Sequence, residues 1–247
     1  MPPHAELPPT SFDLALFDLA LFDLDGTLVD SAPDIHAALD RLMARLGLPP
    51  FARPEVVAMI GDGVRVLVER ALAARGQPFD EAALASFSAD YTARAAEATA
   101  LFPGIAAMLE ALEAAGWRLA VCTNKPAAAT AALLGALGLA GRFAAVGGGD
   151  SFSTRKPDPA HVQATLALAG GSPDRAIMIG DHRNDVLAGT GAGLPCIFAA
   201  WGYGTPAMAE GATAVAARPE ELAELLPALL ARPRTGLGGA ALGHRLA

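Results

Sequence analysis

The sequence predicts an α/β fold with a Rossmann-like parallel-sheet core and an inserted α-helical cap domain. Short apolar runs of β type alternate with helical patterns along most of the chain, which is typical of a parallel sheet with crossover helices. After the first run the alternation stops for roughly eighty residues, a helical segment too long for a simple crossover. This segment is therefore interpreted as an inserted domain.

Six apolar runs are predicted to form the strands of the sheet. They are Leu19–Phe22, 118–123, 142–146, Ala176–Gly180, 195–200 and, with a weaker pattern, 212–216. Crossover helices are expected at 104–115, 126–137, 158–169 and 184–192. Ligands of such sheets bind at the carboxyl ends of the strands. Asp23, Thr123 and Asp181 should therefore lie together at that edge.

The predicted cap consists of helical patterns at 33–47, 54–76 and 80–98, with a break at Ile60-Gly61-Asp62-Gly63. The core is predicted to span residues 12–32 and 101–231, the cap residues 33–100, and flexible termini residues 1–11 and 232–247. Hinges between the domains are expected at 31–34 and 99–104.

The segment Phe12-Asp13-Leu14-Ala15-Leu16 recurs at 17–21, which we interpret as a duplication without a function of its own.

The composition is that of a globular protein with a sizeable core, since 53% of the 247 residues are hydrophobic. The net charge of −8 and the pI of about 5.1 argue against a nucleic-acid partner, because phosphate backbones require a basic surface. The two cysteines imply no disulfide framework, and the N-terminus lacks the positive flank of a secretory signal. The nearly uncharged stretch 126–146 is broken by Arg142 and is interpreted as a helix and a strand. We expect a soluble cytoplasmic protein without a membrane partner, and the oligomeric state stays open.

The most informative motif is Asp23-Leu24-Asp25-Gly26-Thr27, which follows the first apolar run. It places two carboxylates where a buried strand gives way to a loop, so both can point to one place above the sheet. Gly26 allows a tight turn that can present N–H groups to an anion. The pattern indicates phosphoryl transfer to a carboxylate, with Mg²⁺ compensating the negative charges.

Three further motifs follow in order along the chain. They are Val121-Cys122-Thr123-Asn124-Lys125, Lys156-Pro157-Asp158-Pro159 and Ile179-Gly180-Asp181-His182-Arg183-Asn184-Asp185. Together with the acidic pair, they resemble the haloacid-dehalogenase-like phosphatase superfamily over most of the chain, from Phe22 to about Tyr203. The resemblance implies that Asp23 attacks phosphorus and becomes an aspartyl phosphate. It also implies that Asp25 protonates the leaving oxygen and later deprotonates the hydrolytic water.

The resemblance also implies a set of binding residues. Mg²⁺ takes oxygen ligands, and those expected here are Asp23, the Asp25 carbonyl and Asp181. Asp185 is expected to bind a metal-bound water or to orient Lys156. The phosphoryl group is expected to contact Gly26, Thr123, the Asn124 N–H and Lys156. Lys125 is expected to be solvated, and His182 and Arg183 receive no role.

The second acid, Asp25, argues against a dehalogenase, in which no leaving oxygen needs a proton. The segments Gly47-Leu48-Pro49-Pro50, Ile60-Gly61-Asp62-Gly63 and Thr123-Asn124-Lys125-Pro126 are similar to those of bacterial phosphoglycolate phosphatases, although Asp62 departs from an expected Gly-Asn-Gly. The resemblance implies a small phosphorylated metabolite, 2-phosphoglycolate, as substrate. The cap is expected to select it through Gly61, Asp62, Gly63 and Arg65, with Asp62 turned away or paired with Arg65.

Other activities remain open at this point. A sugar-phosphate phosphatase or a phosphomutase of the β-phosphoglucomutase type would use the same aspartyl phosphate, and a pyrophosphatase would use the same phosphate site. A non-catalytic binding protein on this fold would normally have lost one of the acids, and none is lost here.

Overall fold

The structure is a computed structural model that describes residues 18–94 and 96–231. The strands are, in chain order, β1 (Leu19–Phe22), β2 (Val29–Asp30), β3 (Ala100–Leu101), β4 (Arg118–Cys122), β5 (Ala145–Gly147), β6 (Ala176–Gly180), β7 (Cys196–Ala199) and β8 (Ala214–Ala216). The first FDLAL copy and the predicted flexible termini, 1–11 and 232–247, lie outside the described residues.

The helices alternate with the core strands and fill the segment between β2 and β3. They are α1 (Ala32–Arg45), α2 (Arg53–Val57), α3 (Val64–Ala74), α4 (Glu81–Arg94), α5 (Ile105–Ala114), α6 (Ala127–Ala136), α7 (Pro159–Leu168), α8 (Arg183–Gly191) and α9 (Leu222–Leu230). No helix in the described part of the chain is long and apolar enough to cross a bilayer.

Six strands form one parallel sheet in the order β5-β4-β1-β6-β7-β8. β1 lies between β4 and β6, with Leu19 opposite both Arg118 and Ala176. All four β1 residues are buried, since helices cover both faces of a parallel sheet. The predicted α/β fold with a parallel-sheet core and a helical insertion is confirmed.

The structure corrects some of the predicted elements. β5 begins at Ala145 instead of Arg142, because the Arg142 N–H donates to Leu139 O in a turn and its side chain pairs with Glu113. α9, which carries an internal proline at Pro227, was not predicted. Asp18 of the second FDLAL copy pairs with Arg175 at 2.7 Å, at the end of β1 opposite to Asp23.

The helical insertion has its own apolar core, separate from the cores on the two faces of the sheet. Most of its buried side chains come from α1, α3 and α4, among them Leu39, Leu42, Val68, Leu72 and Phe87, and Ala129 of the core helix α6 packs against them. The expected break within 54–76 is present, because α2 ends at Val57 and α3 begins at Val64. The domain limits at residues 33 and 100 stay a prediction.

Two short strands that the sequence did not reveal join the insertion to the core. β2 and β3 pair antiparallel, with Val29 opposite Leu101 and Asp30 opposite Ala100. Next to them the buried Asp34 carboxylate accepts hydrogen bonds from the N–H groups of Ala98 and Thr99 and from Thr99 Oγ1, at 2.6–3.1 Å. The chain therefore enters and leaves the cap through one hydrogen-bonded connection.

Candidate active site

The candidate site lies where the three central strands end. Asp23 follows β1, Thr123 follows β4 and Asp181 follows β6, and all three side chains are buried. The Asp23 N–H donates to Ile179 O and the Thr123 N–H to Gly147 O, both at 2.9 Å, so the sheet hydrogen bonding continues to these residues. The sheet therefore brings together the three side chains that the sequence placed at this edge.

The turn after Asp23 brings its loop against Asp181. Gly26 has a φ of +90°, and a Cβ atom there would lie 2.3 Å from Asp181 Oδ2. Only glycine satisfies both the backbone conformation and this approach. The Gly26 N–H donates to Val29 O at 2.9 Å within this turn. Gly26 therefore forms the turn, and its expected contact with phosphate stays a prediction.

Asp181 is held by three donors. Thr27 Oγ1 donates to Oδ1 at 2.9 Å, and the N–H groups of Tyr203 and Gly204 donate to Oδ2 at 2.7 and 3.3 Å. Burial raises the pKa of Asp181 to about 8, and the nearby negative charges of Asp23 and Asp185 add to this effect. These donors offset the raised pKa only in part, and within the described residues no lysine or arginine forms an ion pair with Asp181.

Lys156 lies against Asp23 in the interior. Its Nζ donates to Asp23 Oδ1 at 2.8 Å, to Asp185 Oδ1 at 2.6 Å and to the Cys122 carbonyl. Burial alone would lower the pKa of Lys156, but Asp185 and Asp23 outweigh burial and hold the pKa above its ordinary value. Burial raises the pKa of Asp23 to about 6, although the charge of Lys156 opposes the shift.

Asp185 lies in the first turn of α8 and contacts Lys156, one of the two positions expected for it. Its Oδ2 accepts the His182 N–H at 2.9 Å while Oδ1 accepts from Lys156. Oxygen atoms of Asp23, Asp181 and Asp185 lie within 4.8 Å of one another. An all-oxygen set with this surplus of negative charge fits a hard divalent cation such as Mg²⁺.

Lys125 is not solvated, and that expectation was wrong. The side chain is buried, and its Nζ donates to Asp25 Oδ1 at 2.9 Å and to the Tyr91 hydroxyl of α4. The backbone turns sharply after β4, with the Lys125 N–H donating to Thr123 Oγ1 at 3.2 Å. Because the cap helix α4 lies over this turn, it excludes water from Lys125.

The Gly61–Gly63 segment of the cap rests on the core beside the site. Gly61 O accepts from Asn124 Nδ2 at 2.9 Å and from Asn184 Nδ2 at 3.3 Å, and Asp62 Oδ1 accepts from Asn184 at 2.6 Å. A Cβ on Gly61 would lie 2.6 Å from the His182 ring, and one on Gly63 would lie 3.2 Å from Asn124 O. Asn184 and His182 thus contact the cap, although sequence reasoning assigned neither residue a role.

Arg65 does not take part in the contacts between the Gly61–Gly63 segment and the core. It pairs with Glu81 at 2.8 Å and stacks over Phe79, on the exposed side of the cap. The expected pairing of Asp62 with Arg65 is wrong, because Asp62 pairs with Arg70 at 2.6 Å. Burial would raise the pKa of Asp62, but its bonds to Asn184 and Arg70 lower it overall.

A pocket lies between the cap and the core and is lined by residues of both. The core lines it with Asp23, Asp25, Thr123, Asn124 and Lys125, and the cap adds the backbone of Gly61 and Gly63. The remaining wall is formed by cap side chains, which are Ile35, Ile60, Val64, Leu67, Phe87 and Tyr91. Of the described side chains that line this pocket, Lys125 is the one cation.

Comparison with known proteins identifies the family of the chain. A protein-family model for haloacid dehalogenase-like hydrolases matches residues 17–193. The chain belongs to the haloacid dehalogenase-like hydrolase family.

Similar relatives within this family carry the name phosphoglycolate phosphatase. The chain is 45% identical to the phosphoglycolate phosphatase of Caulobacter vibrioides, an alignment that covers 73% of this chain and 78% of the relative. It is 42% identical to phosphoglycolate phosphatase 1 of Pseudomonas aeruginosa, over 83% and 76% of the two chains.

Solved structures show the same fold. A "predicted phosphoglycolate phosphatase" from Haemophilus somnus superposes with a TM-score of 0.78 at 30% identity, covering 85% of this chain and 97% of the other. CbbY from Rhodobacter sphaeroides, solved in complex with phosphate, gives a TM-score of 0.74 at 28% identity, covering 84% and 96%.

Proposed function

We propose that the protein is a Mg²⁺-dependent phosphatase that hydrolyses 2-phosphoglycolate to glycolate and phosphate through an aspartyl phosphate. The observation that carries the proposal is the contact of the buried Asp23 carboxylate with Lys156, beside Asp181, with Asp23 lining the pocket. Such a site can neutralise a phosphate dianion and hold an attacking oxygen in place. Relatives that carry the name phosphoglycolate phosphatase support the substrate.

The metal would be held by Asp23, the Asp25 carbonyl and Asp181, with Asp185 close by. When bound, Mg²⁺ supplies positive charge that offsets the repulsion between the carboxylates and the phosphate. The raised pKa values of Asp23 and Asp181 support this assignment, because they mark buried carboxyl groups that lack sufficient positive charge.

In the first step, an oxygen of Asp23 bonds to phosphorus while the bond from phosphorus to the ester oxygen breaks. Asp25 gives its proton to that leaving oxygen, which departs as the hydroxyl of glycolate. Lys156 keeps Asp23 ionised and in place, and Thr123 and the Asn124 N–H are assigned to the phosphoryl oxygens. The mechanism needs one ionised and one protonated acid, a division that is common in such pairs.

In the second step, Asp25 takes a proton from water, and the water oxygen bonds to phosphorus. The bond from phosphorus to Asp23 breaks, which releases inorganic phosphate and restores both acids. The cap side chains over the pocket exclude other water from the site.

A sugar phosphate is the second candidate substrate, because a mutant of CbbY was solved with xylulose-1,5-bisphosphate, and that structure matches this chain at 26% identity and a TM-score of 0.72. The pocket argues against it here. Among the six cap side chains that line the pocket, Tyr91 offers the one polar atom, which leaves few partners for several sugar hydroxyls.

The phosphomutase and pyrophosphatase alternatives and the cytoplasmic location stay predictions.

Phosphate release tests the proposal directly. The purified protein is assayed with phosphoglycolate, hexose phosphates, nucleotides, pyrophosphate and p-nitrophenyl phosphate, each with Mg²⁺ and after chelation. We expect the highest kcat/KM for phosphoglycolate, loss of activity after chelation, and recovery when Mg²⁺ is returned. Asp23→Asn serves as the control for a contaminating phosphatase. A higher kcat/KM for hexose phosphates, or full activity of protein shown to be metal-free, would contradict the proposal.

A further inference from the structure

We propose that Lys125 and Tyr91 form the subsite for an anionic group on the leaving half of the substrate. For 2-phosphoglycolate this group is the carboxylate, so the inference rests on the proposed phosphatase function and deepens it. It also assigns substrate selection to a core lysine and a cap tyrosine together, where the sequence indicated the cap loop and Arg65.

The cations near the site are distributed unevenly between the two halves of the substrate. Lys125 lines the pocket, whereas Arg65 and Arg70 are not among its lining residues and pair with Glu81 and Asp62. Lys156 is already shared between Asp23 and Asp185 on the phosphate side. Of these described cations, Lys125 is therefore the one that can pair with a negative charge on the leaving half of the substrate.

Lys125 also lies next to the residue assigned to protonate the leaving group. Lys125 Nζ lies 2.9 Å from an oxygen of Asp25, the residue assigned to protonate the ester oxygen. In phosphoglycolate a single methylene separates that ester oxygen from the carboxylate. A carboxylate attached in this way therefore reaches the Lys125 ammonium group, which is already hydrogen-bonded to Asp25.

Lys125 and Tyr91 both have a hydrogen-bond donor to spare within the described chain. An ammonium group has three N–H bonds, and within the described chain the contacts with Asp25 and Tyr91 use two of them. Tyr91 accepts from Lys125 and keeps its own hydroxyl proton, since burial raises its pKa well above the ordinary value. One N–H of Lys125 and the O–H of Tyr91 can therefore both donate to a carboxylate.

The surroundings make this pair selective. Ile60, Val64, Leu67 and Phe87 line the same pocket and offer no polar partner to a hydroxyl or an amide. Charge-assisted hydrogen bonds in a dry site are stronger than neutral ones. A phosphate ester without an anionic group would forgo these bonds, so it should be turned over less efficiently.

The test compares two substrates that differ only in this charge, 2-phosphoglycolate and its amide, 2-phosphoglycolamide. Both have an alkoxide leaving group that needs protonation, so a disturbed Asp25 slows both alike. The measured quantity is the ratio of kcat/KM for the acid to that for the amide. It is determined for wild type, Lys125→Met, Tyr91→Phe and Arg45→Met, an exposed cap arginine that serves as the control.

We expect Lys125→Met to lower the ratio at least about tenfold, through a higher KM for the acid, in line with the loss of one charged hydrogen bond. Tyr91→Phe should lower it by a smaller factor, and Arg45→Met should leave it unchanged. Unchanged ratios in the folded Lys125 and Tyr91 variants would overturn the inference even if overall rates fall. If Lys125→Met does not fold, Tyr91→Phe decides. Wild type that fails to hydrolyse phosphoglycolate would instead refute the proposed function.

Discussion

Lys156 Nζ lies 2.8 Å from Asp23 Oδ1 and 2.6 Å from Asp185 Oδ1, so one buried ammonium group separates two buried carboxylates. The three residues come from different parts of the chain, namely the end of β1, the loop before α7 and the first turn of α8. The contact therefore joins the proposed nucleophile to the rest of the site and makes activity and stability depend on the same lysine.

Lys156→Met should destabilise the metal-free protein by about 3–5 kcal/mol, because it leaves Asp23 and Asp185 buried without their cation. Without the lysine the carboxyl groups ionise at greater cost, so the loss should be larger at pH 8 than at pH 5. Urea unfolding at both pH values measures it. Arg218→Met, at an exposed arginine, should change stability by less than about 0.5 kcal/mol. A loss of similar size in both variants would contradict the account.

Asp181→Asn should stabilise the metal-free protein at pH 8. The folded-state pKa of about 8 lies above the ordinary value of 3.8. The protonated group thus contributes stability that is fully present below about pH 4 and is lost as the pH rises through 8. Asparagine removes that loss, so the variant should gain at least about 1 kcal/mol over wild type at pH 8 and much less at pH 5.

Thermal unfolding in the presence of a chelator measures this difference. Addition of Mg²⁺ at pH 8 should raise the Tm of wild type and have little effect on Asp181→Asn. A variant that is less stable than wild type at both pH values, or an advantage that does not change with pH, would refute the assigned charge imbalance.

Gly61→Ala should impair catalysis through the cap loop. The new Cβ would lie 2.6 Å from the His182 ring, so the cap loop or the His182 side chain must shift from its position. We expect kcat/KM for phosphoglycolate to fall at least about tenfold, since small displacements of a positioning group cost much of the rate. Gly76→Ala is the control for replacing a cap glycine of positive φ, which is +69° at Gly76 and +118° at Gly61, because no atom lies within 4 Å of the Cβ added at Gly76.

Gly76→Ala should cost stability through its backbone conformation and leave the kinetic constants unchanged. Replacing His182 by alanine in the Gly61→Ala protein should recover part of the lost kcat/KM, because it removes the atoms that the new Cβ meets. If the two glycine substitutions lowered kcat/KM equally, contact of the new Cβ with the core would not be the cause of the lost activity.

The sequence was most informative where burial alone decides the structure. β1 and β6 were predicted with their observed limits, because each is a wholly buried run with a sharp end. The same reasoning placed Asp23 and Asp181 at one edge of the sheet. Side chains at the ends of neighbouring parallel strands are close together whatever the details of the loops.

The sequence was uninformative where a contact depends on how the cap lies over the core. Lys125 is buried by Tyr91, a residue 34 positions away on a different domain, and no local pattern carries that information. Arg65 and Arg70 are five residues apart on α3, which turns them about 140° from each other around the helix axis. Which of them meets Asp62 depends on the docking of the whole helix.

In the proposed mechanism the phosphoryl group is transferred to Asp23 before it reaches water. The most direct test is rapid mixing of Asp25→Ala with p-nitrophenyl phosphate and Mg²⁺, followed by acid quench and peptide mass mapping. The good leaving group needs little protonation, whereas water lacks its base in this variant, so the intermediate should accumulate. We predict a burst of one p-nitrophenolate per active site with phosphate on Asp23. Phosphate on another residue, or continued turnover without a burst or labelled Asp23, would contradict the account.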